Sequence, residues 1–272
     1  MTVERRFSLE GRTIIVTGGL GLLGSRFTKA LLHAGAAVAV FEVGVTPERI
    51  DSVFADVPHD RLSVLEADVT RRASLEAALG SVTERFGPPF GLVNNAAIDV
   101  TPAASAAENG PFESYPESSW DKMMEVNVKG VMLACQVIGG ALARAGRGSI
   151  VNIGSIYGSV SPDQRIYEYR REGGEAFYKP ITYSVSKSAL LNLTRYLATY
   201  WGERNVRVNT LTLAGVRAGQ HAAFVQSYVA KVPLGRMAEP DEYDGALVFL
   251  LSEASRYMTG SNLVLDGGFT AW

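Results

Sequence analysis

The sequence is poor in the residues that make staples and metal centres. It has one cysteine, Cys135, which excludes an intrachain disulfide and a cysteine-based metal site. The three histidines, His33, His59 and His221, lie far apart and in no metal-ligand spacing. Neither sign of charge is in excess: 26 Lys and Arg stand against 28 Asp and Glu, a net charge of −2. That balance gives no reason to expect a nucleic-acid polyanion or an anionic membrane as partner. No uninterrupted apolar run approaches the ~18 residues of a membrane span. The opening MTVERRFSLEGR has no apolar h-region of a secretory signal. These absences lead us to expect a cytoplasmic protein with no metal, no nucleic acid and no membrane partner.

What is present is a chain of 272 residues, 47% hydrophobic, long enough to bury a sizeable core. Short apolar runs alternate with helical patterns. Strands are expected at Thr13–Thr17, Ala37–Glu42, Leu62–Glu66, Gly91–Asn94, Ser149–Ile153, Arg207–Leu213 and Asn262–Leu265. Helices are expected at Arg26–His33, Ser74–Phe86, Ser118–Ala145 (with Ser118 or Ser119 as N-cap), Tyr183–Trp201 and Asp241–Leu251. The strands read as continuous apolar runs, as in a parallel sheet covered on both faces. The expected fold is therefore α/β, a doubly wound parallel sheet in a single Rossmann domain over residues 1–272. Two irregular stretches, Ile98–Glu117 and Ile156–Thr182, follow strands at the carboxyl ends where such sheets bind ligands.

The turn after the first strand reads TGGLGLLG over residues 17–24. Gly19, Gly21 and Gly24 spell G-x-G-x-x-G; Gly18, Gly21 and Gly24 spell G-x-x-G-x-x-G. Either pattern lets backbone approach a pyrophosphate and aims a helix N-terminus at it. Glu42 ends the second strand 21 residues after Gly21, where an acidic side chain can accept hydrogen bonds from an adenosine ribose. Its charge would repel a 2′-phosphate, and neighbouring Val43 brings no cation, so NAD is expected over NADP. Asp68, after the third strand, suits either adenine or the cap of a turn, and Asn94 and Asn95 suit either loop bracing or cofactor contact.

Residues 183–187 read YSVSK. On a helix Tyr183 and Lys187 share a face, and an ammonium beside a phenol lowers the phenol pKa from about 10. That pairing points to general acid–base chemistry. Ser155 ends the fifth strand in VNIGS, at the same edge of the sheet, where its hydroxyl could hold a carbonyl oxygen.

From Gly11 to Gly268 the chain resembles the short-chain dehydrogenase/reductase family, in its short single-domain branch. The resemblance is carried by the glycine turn, Glu42, Asp68-Val69, Asn94-Asn95-Ala96, Asn127 in EVNVKG, Ser155, Tyr183/Lys187, RVNTL and TGSNLVLDGG. It implies a catalytic tetrad. Tyr183 would exchange the proton, Lys187 would bind the nicotinamide ribose, Ser155 would orient the substrate oxygen and Asn127 would hold a relay water. It implies cofactor contacts at Gly18, Gly21, Leu22, Leu23, Gly24, Glu42, Asp68, Val69, Asn95, Ala96, Tyr183, Lys187, Gly215 and Val216. It also implies a small-molecule substrate and a homotetramer or homodimer.

The chain departs from the family pattern in several places. The branch's T-G-x-x-x-G-x-G has Leu22 at its sixth position here, and TGxxGxxG resembles the longer branch of epimerases and dehydratases, whose extended C-terminal substrate domain is not expected in this chain. Ala97 replaces a glycine, Ala214-Gly215 replaces Pro-Gly, and Gly219 stands where a threonine contacts the carboxamide, with Gln220 as a substitute. The interval from Ser155 to Tyr183 is 28 residues, longer than the branch has. This insertion, around 156–182, is expected either to wall the substrate pocket, with one of Arg165, Arg170 or Arg171 meeting a carboxylate, or to be a surface or subunit-contact loop, and residues around 215–235 are expected to form a lid. The insertion and the GFTAW ending also resemble a subgroup of bacterial sugar and nonulosonic-acid pathways. The expected activity is interconversion of a secondary alcohol and a ketone on a polar, sugar-like or hydroxy-acid substrate. The alternatives are an epimerase or dehydratase with tightly held NAD, and a non-catalytic nucleotide-binding protein.

Overall fold

The structure, a computed structural model, describes residues 2–99 and 107–272. Seven parallel strands form one sheet in the order β3-β2-β1-β4-β5-β6-β7. They are β1 Thr13–Thr17, β2 Ala37–Glu42, β3 Leu62–Glu66, β4 Gly91–Asn94, β5 Gly148–Ser155, β6 Val206–Leu213 and β7 Asn262–Leu265. The helices are α1 Val3–Phe7, α2 Leu22–His33, α3 Pro47–Phe54, α4 Arg72–Phe86, α5 Glu117–Ala145, α6 Glu168–Glu172, α7 Ile181–Trp201, α8 Ala222–Val229 and α9 Asp244–Leu251. Order reverses between β1 and β4, which places a crevice at the carboxyl ends of those strands.

Every expected strand is present, and the central ones are buried along their whole length, as continuous apolar runs require. One hydrophobic cluster packs α4, α5 and α7 against one face of the sheet, and a second packs α2, α3 and α9 against the other. A third joins the 156–182 insertion to residues 224–237 and Phe269. Phe269 stacks on Tyr228 at 5.2 Å, so this aromatic near the C-terminus packs within its own chain, while Trp272 is exposed. By length and composition α5 could cross a membrane, yet Val131, Ala134, Val137, Ile138 and Leu142 bury its inner face in the core.

Several boundaries differ from expectation for local reasons. α2 starts at Leu22, directly out of the glycine turn with Gly21 as N-cap, rather than at Arg26. β5 runs two residues further, so Ser155 is its last residue. Neither Ser118 nor Ser119 caps α5: Pro116 precedes its first turn, and the Ser119 hydroxyl donates to Glu108 instead. The expected helix 241–251 is a 3₁₀ turn at Pro240–Tyr243 followed by α9. α3, α6 and α8 are further helices beyond those expected, and in α3 Ile50, Val53 and Phe54 form the i, i+3, i+4 face that packs on the core. Of the irregular stretch 98–117, residues 100–106 lie outside the described residues.

A buried polar chain ties together the strands and helices on the β4 side of the crevice. The Asn94 amide on β4 donates to Asn152 Oδ1 on β5 at 2.8 Å, and Asn152 donates to Thr194 Oγ1 on α7 at 2.8 Å. Thr194 shares a further 2.8 Å hydrogen bond with Thr210 on β6. Asn94 also reaches Cys135 Sγ on α5 at 3.3 Å. Burial pushes that thiol up to about 12, which leaves it unreactive. All these side chains are almost wholly buried, so a missing partner is costly. We expect Asn152→Ala to destabilise the fold by about 1–3 kcal/mol for each buried group it orphans. Urea unfolding should show this as a lower midpoint with an unchanged slope.

Candidate active site

The crevice holds a long cleft of about 900 Å³ with Glu42 at one end and Tyr183 at the other. Gly18, Gly21, Leu22, Leu23 and Gly24 line it, as do Asp68, Val69, Asn95 and Ala96. Two of the glycines are demanded by space. Gly18 has φ +67°, and a Cβ there would come within 2.8 Å of Ala96 Cα. A Cβ on Gly24 would sit 2.0 Å from the Gly18 carbonyl, so α2 rides against the turn only with glycine at that point. Gly21 faces the cleft and has no such crowding; its Cβ would approach only the Gly18 carbonyl, at 3.4 Å. The backbone amides of the first turn of α2 therefore open onto the cleft, the ordinary setting for a pyrophosphate.

The turn is braced from two sides. Asn95 donates from Nδ2 to the carbonyls of Thr17 (3.1 Å) and Gly18 (2.9 Å). Thr17 Oγ1 accepts from the amides of Asn95 and Ala96. Glu42 accepts from the Leu20 amide at 3.0 Å and from its neighbour Val43 at 3.1 Å, so its carboxylate both steadies the turn and lines the cleft. Asp68 Oδ1 accepts from Thr70 N and Thr70 Oγ1, capping a turn while lining the cleft, so both uses left open for it coexist. The tertiary structure adds a cation that the neighbours of Glu42 in sequence did not show. Arg49, from the first turn of α3, lines the same end and donates to the carbonyls of Val43 (2.8 Å) and Gly44 (2.6 Å).

At the other end, a second cavity of about 330 Å³ is lined by Ser155, Tyr183 and Lys187 together with Gly215 and Val216. The Ser155 hydroxyl accepts from Tyr157 N at 3.2 Å and faces the Tyr183 phenol closely enough to draw its pKa down. Lys187 is buried and donates from Nζ to the Ile153 carbonyl at 2.9 Å. Its ammonium lies 5.8 Å from the centre of the Tyr183 ring. Burial lowers the Lys187 pKa from 10.5 to about 8, with the Asp99 carboxylate acting in the opposite sense.

The expected lowering of the Tyr183 pKa is corrected by this arrangement. Burial, reinforced by the negative charge of Asp99, raises the phenol above 10. The lysine spends a hydrogen bond on a backbone carbonyl and stays too far from the phenol to reverse that.

Asn127 lies in a π-helical stretch of α5, Glu125–Gly130, a distortion of the kind often found at functional sites. Its amide clasps Ile98 in both senses, accepting at 2.8 Å and donating at 2.9 Å, and also donates to Ser186 Oγ at 3.2 Å. Ser186 in turn donates to the Tyr183 carbonyl. Asn127 thus joins the strap beyond β4 to the helix that carries Tyr183.

None of the three arginines assigned to a substrate carboxylate lines the cavity. Arg165 pairs with Asp163, Arg170 with Glu175, and Arg171 donates to the carbonyls of Phe177 and Gln164. They hold the insertion together, because acids and carbonyls of the insertion lie nearer to them than the cavity does. The insertion instead contributes Tyr157, Tyr167 and Lys179 to the wall. Lys179 lies before Pro180 and the helix that starts at Ile181, so helical spacing does not place it beside Tyr183; the Gln164 side chain positions its backbone. Gln220 also lines the cavity, but its amide is spent on Val216 O and Ala218 N of its own loop.

Residues 22–270 match the protein family described as enoyl-(acyl carrier protein) reductase. A D-arabinitol 2-dehydrogenase [ribulose-forming] of Scheffersomyces stipitis is 32% identical, with 99% of this chain and 98% of that protein covered. The chain belongs to the short-chain dehydrogenase/reductase family. A D-threitol dehydrogenase of Mycolicibacterium smegmatis is also 32% identical, over 99% of this chain and 97% of that protein. A solved short chain dehydrogenase from Leptospira borgpetersenii with bound NAD+ superposes with a TM-score of 0.82 at 30% identity, over 99% of this chain and 96% of that one. A gluconate 5-dehydrogenase from Burkholderia cenocepacia, in complex with NADP and tartrate, superposes at 0.85 with 25% identity, each chain covered completely. This short-chain dehydrogenase/reductase is thus an oxidoreductase with the family fold, and its named full-length relatives are dehydrogenases.

The burial of Lys187 has a thermodynamic consequence. Below pH 8 the lysine is charged in both folded and unfolded chains; between about 8 and 10.5 the unfolded chain binds more protons. Stability contributed by Lys187 therefore rises with pH across that window. Subtracting the unfolding free energy of Lys187→Met from that of the unaltered protein, between pH 7 and 10, should give a difference that grows with pH.

Proposed function

We propose that the protein is an NAD-dependent polyol dehydrogenase that interconverts a secondary alcohol and a ketone, with Tyr183 transferring the proton. The observation that carries this reading is the cleft itself. It joins a glycine turn and Glu42 at one end to Tyr183 at the other, where Ser155 and Lys187 share a second cavity with the tyrosine. The relatives named for D-arabinitol and D-threitol support a hydroxyl-rich substrate.

The residues present fit a nicotinamide dinucleotide. The space beside Gly18, Gly21 and Gly24 suits the pyrophosphate, Glu42 the adenosine ribose, and Lys187 with Tyr183 the ribose next to the nicotinamide. Such a cofactor, when bound, accepts or supplies the hydride. Glu42 supports NAD by charge, and Arg49 has its guanidinium turned to the Val43 and Gly44 carbonyls. Ser155 would donate to the substrate oxygen and hold it beside the phenol. Asn127 would steady Tyr183 through Ser186 and keep a water route to Lys187 open. Residues around 215–235 would close the cavity as a lid, with the Lys231 ammonium 2.5 Å from Asp163 of the insertion. Tyr196 and Tyr200, stacked and exposed on α7, suit the contact of a dimer or tetramer.

A phenol kept protonated by burial is a ready proton donor to a ketone. In the oxidative direction it must first lose its proton, so alcohol oxidation should accelerate as pH rises above neutrality. Reduced cofactor should accumulate when the protein is given NAD and a polyol, and more slowly with NADP. Tyr183→Phe should cut kcat by about 10²–10⁴-fold, the usual worth of general acid–base catalysis, while NAD binding measured by calorimetry persists. Turnover that survives this substitution would remove Tyr183 from the reaction.

A further inference from the structure

The substrate end of the site contains an ion pair that the family motifs do not mention. Lys179 Nζ contacts Asp99 Oδ2, and both residues line the cavity of Tyr183 and Ser155. The ammonium also stands 4.7 Å from the centre of the Tyr183 ring, nearer than Lys187 at 5.8 Å. We infer that Asp99 and Lys179 form a clamp for two neighbouring hydroxyls of an uncharged polyol, beside the carbinol presented to Tyr183. This rests on the reading of the protein as a polyol dehydrogenase and goes further, by naming the residues that select neutral substrates over carboxylates.

The placement of Lys179 is built rather than accidental. The Gln164 side chain grips its backbone in both senses, accepting from Lys179 N at 2.9 Å and donating to Lys179 O at 3.1 Å. Arg171 holds the Gln164 carbonyl at 2.9 Å, and Tyr178 N donates to Asn109 O at 2.7 Å. Only 12% of the Lys179 side chain is exposed, so its charge is directed inward. Asp99 comes from the strap beyond β4 that Asn127 holds through Ile98. Two separate segments of chain thus converge on one pair beside the reactive phenol.

The chemistry of the pair favours a diol. A carboxylate offers acceptors and an ammonium offers donors, and a hydroxyl both donates and accepts. Adjacent hydroxyls can therefore satisfy both members without breaking the ion pair. A substrate carboxylate meets a different situation. Among the described residues, the insertion's one cation lining the cavity, Lys179, is already matched by Asp99, and an incoming anion would lie against that like charge. Lys187 does not alter this, since its ammonium is turned to the Ile153 carbonyl.

The test compares D-arabinitol with D-arabinonate, which differ by an alcohol or a carboxylate at one end, using NAD and the full chain. Asp99 is nearly half exposed, so Asp99→Asn removes charge without disturbing packing. We expect Asp99→Asn to raise KM for the polyol about tenfold and to lower it for the aldonate, as hydrogen bonds to charged groups imply. Lys179→Met should raise KM for the polyol, with kcat changing less, and Lys179→Arg should restore part of the loss. If Asp99→Asn and Lys179→Met leave both KM values within twofold of the unaltered protein while polyol turnover is intact, the clamp is wrong and the dehydrogenase reading stands. If the unaltered protein oxidises no polyol at all, both fall.

Discussion

The site depends on a buried run of hydrogen bonds from Asn94 through Asn152 and Thr194 to Thr210. Those side chains are buried, so each amide and hydroxyl must find its partner, and the hydrogen bonds of Thr194 to Asn152 and Thr210 fix the position of α7 over β5 and β6. That position sets where Tyr183 and Lys187 fall relative to Ser155 at the end of β5. Apolar packing alone tolerates repacking; a satisfied polar chain specifies register. The same helix then inserts a lysine into the core, where the Ile153 carbonyl accepts its hydrogen bond and burial lowers its pKa.

The crevice is assembled by similar cross-bracing. Asn95 and Thr17 lock the glycine turn to the end of β4, Glu42 locks it to the end of β2, and Asn127 locks the strap after β4 to α5 and α7. Residues that contact a cofactor or substrate in the proposed reading thus also hold the backbone that shapes the pocket. The 156–182 insertion extends this plan outward. Its own core of Tyr157, Ile166, Tyr167 and Phe177 packs with Tyr228, Met237 and Phe269, so a segment that is long for its branch is a packed wall rather than an unstructured loop. Its arginines are consumed in building that wall, so none of the three expected to meet a substrate carboxylate lines the cavity.

Much of the frame was legible along the chain. The seven apolar runs, the TGGLGLLG turn, the acidic end of β2 and the Tyr183/Lys187 spacing depend on local periodicity and short offsets, and the structure places the strands and the cleft where these indicated. Boundaries were less legible. Pro116 rather than a serine opens α5, and α2 begins at Leu22, because the backbone geometry of a turn decides where a helix can start. Arg49, Lys179 and Asp99 were not assigned to the site. Arg49 is seven residues past Glu42, and Asp99 is 80 residues from Lys179, so no local pattern joins them.

The sequence by itself determined the covered parallel sheet, the family, the glycine turn and the Tyr183/Lys187 pair proposed for the chemistry, since each is written in spacing that backbone geometry reads locally. Only the tertiary structure decided the sign of the Tyr183 pKa shift, the partner taken by Lys187, and which cation of the insertion faces the cavity. Those outcomes turn on desolvation and on competition among hydrogen-bond partners. Both are properties of the three-dimensional surroundings, and a linear pattern does not contain them.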